Sequence, residues 1–395
     1  MPFVKNIAIT ANKTPPIEFG VLYMMGNGAN GRLGTGNTTS RSSPVQVGDE
    51  FSHVSITAGH TMAIKTDGTL WAWGWNESGQ LGLSDTTDRS SPVQIGSDTD
   101  WSYVSAGNRF TLATKTDGTL WAWGLNGNGQ LGLGDTTNRS SPVQVGAENA
   151  WYGPIMTTNA ASSFAIKNWN GEYGELWAWG WNPYGNLGTN NTTSRSSPVQ
   201  VGADSTWERI GGRTFFMTAT KVVISTDPFD YGTVIGREIY SWGWNLFGQL
   251  GQGDTTDRSS PVQVGFDTDW AMVASSQNHT LALKTDGSLY AWGDNFYGQF
   301  GNGGTTSTSS PVLVSGASFY WTWAGGNGHS FGSDGASLYA WGINSFGALG
   351  LGDTTNRSSP VQVGSFTQLS VPSEFFQQGP IYLGDGYAAF ILKED

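Results

Sequence analysis

Cysteine is missing altogether from these 395 residues, which rules out disulfides, thiolate zinc sites and cysteine nucleophiles. Charge is also scarce. Only 13% of the side chains carry it, and 31 acidic against 19 basic residues leave a formal net charge of −12. Six of the eleven arginines stand at one recurring position, just before Ser-Ser-Pro: Arg41, Arg89, Arg139, Arg195, Arg258 and Arg357. Four of them follow an aspartate, in Asp85/Arg89, Asp135/Arg139, Asp254/Arg258 and Asp353/Arg357, and read as local loop pairs. A phosphate backbone needs a concentrated basic footprint, so no nucleic-acid partner is expected. No apolar run approaches the ~18 residues of a spanning helix, and no membrane span is expected. The opening MPFVKNIAIT lacks the continuous apolar stretch of a cleaved secretory signal, and a soluble chain is expected. Helical periodicity is absent too, and with it any strand–turn–helix setting for a nucleophile elbow or phosphate loop.

Glycine and tryptophan are abundant instead, at 57 and 19 residues. Seven times an aromatic strand ends in a glycine and runs into a glycine-punctuated turn. The fullest copies are LWAWGWNESGQLG at 70–82, LWAWGLNGNGQLG at 120–132 and LWAWGWNPYGNLG at 176–188. IYSWG at 239–243, LYAWG at 289–293 and at 338–342, and a degenerate LYMMG at 22–26 complete the series. The anchor glycines Gly26, Gly74, Gly124, Gly180, Gly243, Gly293 and Gly342 step by 48, 50, 56, 63, 50 and 49 residues. Such a period marks a solenoid or a propeller. Each full copy holds four strand-sized pieces, the second and third joined by a hairpin turn such as Asp67-Gly68. In Leu70-Trp71-Ala72-Trp73 the two tryptophans share one face, and Leu70 and Ala72 share the other. A bulky face and a slim one let wedge-shaped sheets stack without voids.

The two ends complement each other. AFILKED at 389–395 matches the second piece of a copy (TMAIKTD at 61–67) and stops, whereas 20–26 matches the third piece at 68–74. The expected fold is therefore all-β: a seven-bladed β-propeller of four-stranded antiparallel blades, closed by pairing N-terminal and C-terminal half-blades. Its blades would span about 51–96, 101–146, 151–202, 207–265, 270–316, 319–364, and 366–395 together with 20–48. Residues 20–395 make a single propeller on this reading, and residues 1–19 form an arm outside the repeat that offers a means of assembly.

The pattern W-G-x-N-x-x-G-Q-L-G, followed by S-P-V-x-V and a G-H-T-x-A-x-x-x-D-G segment, resembles the regulator of chromosome condensation repeat family over 20–395. The resemblance implies a seven-bladed propeller of four-stranded blades. For function it implies only a range: nucleotide exchange on a small nuclear GTPase, ultraviolet sensing in plants, or β-lactamase inhibition by bacterial propellers. A shared fold does not choose among these. The exchange factor carries a basic tail, but residues 1–19 hold only Lys5 and Lys13. The photoreceptor's repeats carry Gly-Trp-Arg-His-Thr, where this chain has AGHT at 58–61, NRFT at 108–111 and QNHT at 277–280. The Trp–Arg pairs of that signature are therefore missing from these segments.

Candidate chemistry is thin. His60, His279 and His329 fall at one repeat position with Phe110 in that place in blade two, and read as hydrogen-bonding residues at strand starts; His53 has no evident partner. The acidic loops 85–88, 254–257 and 97–100 lack the ligand spacing of a calcium loop and read as Asx and Ser/Thr turns. No catalytic residue, metal site or cofactor is expected. The informative positions are the two variable residues of N-x-x-G. They are small or polar in the first three copies. In the next four they are Pro183-Tyr184, Leu246-Phe247, Phe296-Tyr297 and Ser345-Phe346. An arc of Tyr184, Leu246, Phe247, Phe296, Tyr297 and Phe346 at one end of the ring is the expected binding surface, since aromatics dominate binding hot spots. A twelve-residue insertion at 226–237, carrying Asp227, Phe229 and Tyr231, is a second candidate contact. The expected function is non-enzymatic binding to an unidentified protein or surface, as a structural or recognition part of a larger, virion, tail or extracellular assembly. The alternative is regulation of a partner, by nucleotide exchange or enzyme inhibition.

Overall fold

The computed structural model describes residues 21–57, 59–153, 155–158, 161–212, 214–319, 321–325, 328–334, 337–345, 349, 351–363, 381–384 and 387–392. The arm at 1–19 lies outside them. The described strands form seven four-stranded antiparallel sheets. Blade one is the meander Phe51–Ile56, His60–Lys65, Leu70–Gly74 and Arg89–Gln94. Blades two to six repeat it in chain order. Blade seven is the exception that closes the ring. Its two middle strands come from opposite ends of the chain: Val21–Gly26 pairs antiparallel with Tyr387–Leu392, in the register Val21 to Leu392 and Gly26 to Tyr387. Arg41–Gly48 and Ile381–Gly384 flank them. Among the described residues the only helix is the single turn Ala29–Gly31, and none is long and apolar enough to cross a membrane.

The core lies between sheets. Met62, Ile64, Leu70 and Ala72 of blade one pack with Trp101, Val104 and Trp123 of blade two. Leu112, Leu120 and Ala122 of blade two meet Trp151, Ile155 and Trp179 of blade three in the same way. The tryptophan just before the anchor glycine of blades one to six (Trp73, Trp123, Trp179, Trp242, Trp292 and Trp341) is fully buried. Truncating such a side chain to alanine costs about 3–5 kcal/mol. In blades one to three the earlier tryptophan of the same strand (Trp71, Trp121 and Trp177) is half-buried. Trp121 meets Trp101 edge-on at 6.1 Å, and Lys115 caps both rings at 5.2 and 4.9 Å while bonding Asp98 and Asp100 at 2.6 and 3.0 Å.

Turn glycines set the spacing between blades. Gly129 adopts φ +78°, and a Cβ there would lie 2.5 Å from Ser196 Cα of the next blade. Gly132, at φ +74°, leaves room for the indole of Trp179, whose Nε1 would be 2.8 Å from its Cβ. The N-x-x-G asparagine locks the same turn. Asn126 Nδ2 donates to Asp135 at its carbonyl and Oδ1 (3.0 and 3.1 Å), and Asn126 Oδ1 accepts from the Leu131 amide at 3.0 Å. Aspartate and arginine pair in these loops as expected, at 2.6 Å for Asp85/Arg89, Asp135/Arg139 and Asp254/Arg258 and 2.5 Å for Asp353/Arg357.

Candidate binding face

The aromatic face is built by one recurring hydrogen bond. In blades one to six the amide of the residue after the anchor glycine donates to the carbonyl of the residue that precedes the second strand of its blade. Trp75 donates to Gly59 at 2.9 Å, Trp181 to Ala161 at 3.0 Å, Trp244 to Phe215 at 3.0 Å and Asp294 to Asn278 at 2.9 Å. The pair lies beside the N-x-x-G turn and brings two side chains there in blades two to five, and one in blades one and six, where Gly59 and Gly328 have none. Across blades three and four they fuse into one cluster of half-buried rings. Tyr184 meets Trp181, Phe215 and Trp244 at 6.2, 5.2 and 6.2 Å between centroids. Phe215 meets Trp181 at 5.6 Å and Trp244 at 5.9 Å, and Trp244 meets Phe247 at 5.6 Å.

Of the candidate residues, Tyr184 and Phe247 are half-buried in this cluster, the first leaning on the neighbouring blade. Leu246, Phe296 and Tyr297 are free at 60%, 69% and 38% exposure, with Phe296 and Tyr297 edge-on at 4.9 Å. Phe346 lies outside the described residues. Trp181, Trp244 and Phe215 were not among the sequence candidates. The first two carried a signal, because tryptophan follows the anchor glycine in three blades, at Trp75, Trp181 and Trp244.

The insertion does not join this face. It lengthens the hairpin Phe216–Ile224 and Val234–Gly243, with Asp227 shaping the turn by accepting the Phe229 amide at 3.0 Å. Phe229 and Tyr231 are exposed at its tip. Trp244 and Phe247 follow the other end of Val234–Gly243, so the ten-residue strand separates the two candidate surfaces by roughly 30 Å. Arg237 fastens the extension, with its Nε donating to both carboxylate oxygens of Glu208 at 2.9 and 2.8 Å.

On the other side of the face, Arg109 lies 4.1 Å from the Trp75 ring centroid and 3.8 Å from Glu77. A Trp–Arg stack therefore exists here across two blades: Arg109 stands at the arginine position of the 108–111 segment, and its ring partner Trp75 comes from the turn after the blade-one anchor glycine. The histidines bolt blades together. His60 Nε2 lies 3.1 Å from Thr111 Oγ1, and His279 Nε2 lies 2.9 Å from Ser330 Oγ, each in the next blade. Burial pushes both imidazoles down to about 3, so they are neutral near pH 7. His53 does have a partner: its Nε2 meets the Val104 carbonyl of blade two at 2.8 Å.

Seven like blades, closed by the two chain ends and carrying a side-chain face at their turns, define a repeat propeller. The chain belongs to the regulator of chromosome condensation (RCC1) repeat family, whose profile matches residues 20–64, 67–114, 117–154, 173–210, 238–283 and 336–375. It is 32% identical over 122 residues to the ultraviolet-B receptor UVR8 of Arabidopsis thaliana, covering 30% of this chain and 25% of the receptor. It is 27% identical over 120 residues to RCC1 domain-containing protein 1 of Mus musculus, covering 24% of this chain and 32% of that protein. The chain thus spans about a quarter to a third of the curated relatives it matches. Among solved structures, Prp20p of Saccharomyces cerevisiae superposes with a TM-score of 0.75 at 18% identity, covering 96% of this chain and 93% of its own. Human WBSCR16 gives 0.74 at 18% identity, covering 95% and 99%. At these identities the structures speak for the fold alone.

Proposed function

We propose that the chain is a non-enzymatic propeller that binds a partner protein through the ring end formed by the N-x-x-G turns of blades three to five. The observation that carries this reading is the pairing of exposed Leu246, Phe296 and Tyr297 with a floor of half-buried rings in tilted and edge-on contact in blades three and four. Exposed aromatics on a rigid base lose little side-chain entropy when a partner covers them, which is why such groups dominate binding energy. Relatives of the same fold give support: Prp20p was described with its binding to Gsp1p and histones, and was also solved bound to Kap60. Those likenesses favour, as a second reading, a face that regulates its partner as an exchange factor or inhibitor. A virion, tail or extracellular setting draws no support from the face or the relatives.

The test is co-purification from the native source with the wild-type chain and with Leu246→Ser/Phe296→Ser/Tyr297→Ser. Loss of a stoichiometric partner with an unchanged melting temperature supports the reading. Retention of that partner by the triple variant refutes it. Adding the captured protein to assays of nucleotide release or β-lactamase activity separates a regulator from a passive binder.

A further inference from the structure

Arg195 carries a charge that its own blade leaves unanswered. In blades one, two, four and six the arginine before Ser-Ser-Pro donates from Nη2 to the aspartate four residues earlier. Blade five has lost both partners together, with Gly304 and Thr308 in their places. Blade three keeps the arginine but has Asn191 for the aspartate. Backbone groups engage both ends of that amide: Asn191 Oδ1 accepts from the Thr193 amide and Nδ2 donates to the Thr189 carbonyl, each at 2.9 Å. Arg195 Nε is sealed from solvent with no hydrogen-bond partner, and so is the hydroxyl of Thr189. Thr189 itself replaces the leucine of blades one, two and six, Leu83, Leu133 and Leu351. Blade seven carries the same triple change as Thr35, Asn37 and Arg41, and the same two atoms, Thr35 Oγ1 and Arg41 Nε, are buried and unpartnered. Buried donors of this kind are costly unless something accepts from them.

In blade three a cavity of about 590 Å³ opens beside these groups, between the strand Arg195–Gln200 and the neighbouring blade four. That volume lies inside the range of about 300–1,000 Å³ typical of small-ligand pockets. Thr189, Arg195 and Val199 line one wall, and Trp207, Lys221 and Pro261 line the other. Lys221 is already neutralised by Asp204 and held over the rings of Trp207 and Tyr240 at 4.4 and 4.3 Å. The lining therefore has one net positive charge, on Arg195. A monoanion matches it, whereas a dianionic phosphate would leave excess negative charge beside Asp204.

We propose that this cavity binds a carboxylate ligand. The two Nη groups of Arg195 bridge the two carboxylate oxygens, and an apolar body rests on Val199 and Pro261. The site shares no residue with the aromatic face, so it stands or falls separately from the proposed protein-binding role. A free small acid and the C-terminal carboxylate of a peptide present the same chemistry.

The experiment is calorimetric titration of the full chain on an Asn37→Asp background, which gives the blade-seven arginine its own carboxylate. The probes are 3-phenylpropionate, the peptide acetyl-Ala-Val-Phe as free acid and as amide, and phenyl phosphate. The free acids are expected to bind and the amide not to. A tighter peptide acid marks a chain terminus as the source, and a tighter phenylpropionate marks a small molecule. Arg195→Gln is expected to weaken binding about tenfold or more. Asn191→Asp, which recreates the loop pair of the other blades, is expected to weaken it equally while leaving the melting temperature at or above that of the parent. No saturable binding of either acid overturns the assignment. So does equal binding by Asn191→Asp, or tighter binding of phenyl phosphate than of 3-phenylpropionate.

Discussion

The indole Nε1 of Trp123 donates to the main-chain carbonyl of Gln80, one blade earlier, at 2.9 Å. The Thr111 hydroxyl donates to the same oxygen at 3.0 Å. Equivalent indole bonds link Trp179 to Gln130, Trp242 to Asn186, Trp292 to Gln249 and Trp341 to Gln299, at 2.8–2.9 Å. The core tryptophan is thus both a packing unit and a polar bolt. Trp73, at the seam between blades seven and one, is equally buried, but its Nε1 has no partner.

That contrast separates packing from bonding. Trp123→Phe removes ring volume and a hydrogen bond, and Trp73→Phe removes ring volume alone. We expect the first to cost about 1 kcal/mol more than the second. Urea unfolding of the two variants measures the difference, and equal losses would mean that the indole bond contributes nothing.

Gly129 supplies a backbone test. A methyl group there meets Ser196 of the next blade at 2.5 Å, in a φ region that alanine disfavours. Gly129→Ala is expected to lower the melting temperature clearly, with a loss of at least about 1–2 kcal/mol. Gly127→Ala, two residues away with open space around its Cβ, should leave it within error.

The buried histidines make stability sensitive to mild acid. Folded, His60 and His279 titrate at about 3, while the unfolded chain takes up protons at about 6.5. Below 6.5 the unfolded state binds more protons, so stability is full above that pH and falls as the pH drops toward 3. The slope is about 1.4 kcal/mol per pH unit for each histidine. Loop aspartates such as Asp135, held below their ordinary 3.8 mainly by the Thr137 amide, act only at lower pH. Urea midpoints at pH 7 and pH 5 should therefore converge in His60→Gln/His279→Gln relative to wild type. An unchanged gap would show that these imidazoles are not the acid-sensitive groups.

The face separates into floor and contact. Trp244 meets Tyr184 at a tilt and Phe215 and Phe247 edge-on, so Trp244→Ala should destabilise the fold by about 2–4 kcal/mol as well as weaken binding. Phe296→Ser should weaken binding with no shift beyond about 0.5 kcal/mol, as an exposed position allows. Thermal melts of the two single variants settle which residues are structural.

Architecture was legible because it is periodic. The anchor glycines mark the strand ends, and the likeness of 389–395 to 61–67 foretells the pairing of Tyr387–Leu392 with Val21–Gly26. The face was legible only in part. Tyr184 and Phe247 were found by comparing repeats, but their half-burial depends on Phe215 and Trp244, which only the cross-strand hydrogen bond places beside them. Arg109 and Trp75 are far apart in sequence and meet only when two blades are stacked. The insertion was visible as extra length. That its tip points away from the aromatic turns follows from strand direction, which composition does not carry.

The most direct test of the binding face is site-specific photocrosslinking in the native source. p-Benzoylphenylalanine replaces Phe296 in one sample and Phe229, at the far end of the blade-four hairpin, in another. The account predicts one covalent partner adduct from position 296 and none from position 229. An adduct from 229 with none from 296 would contradict it.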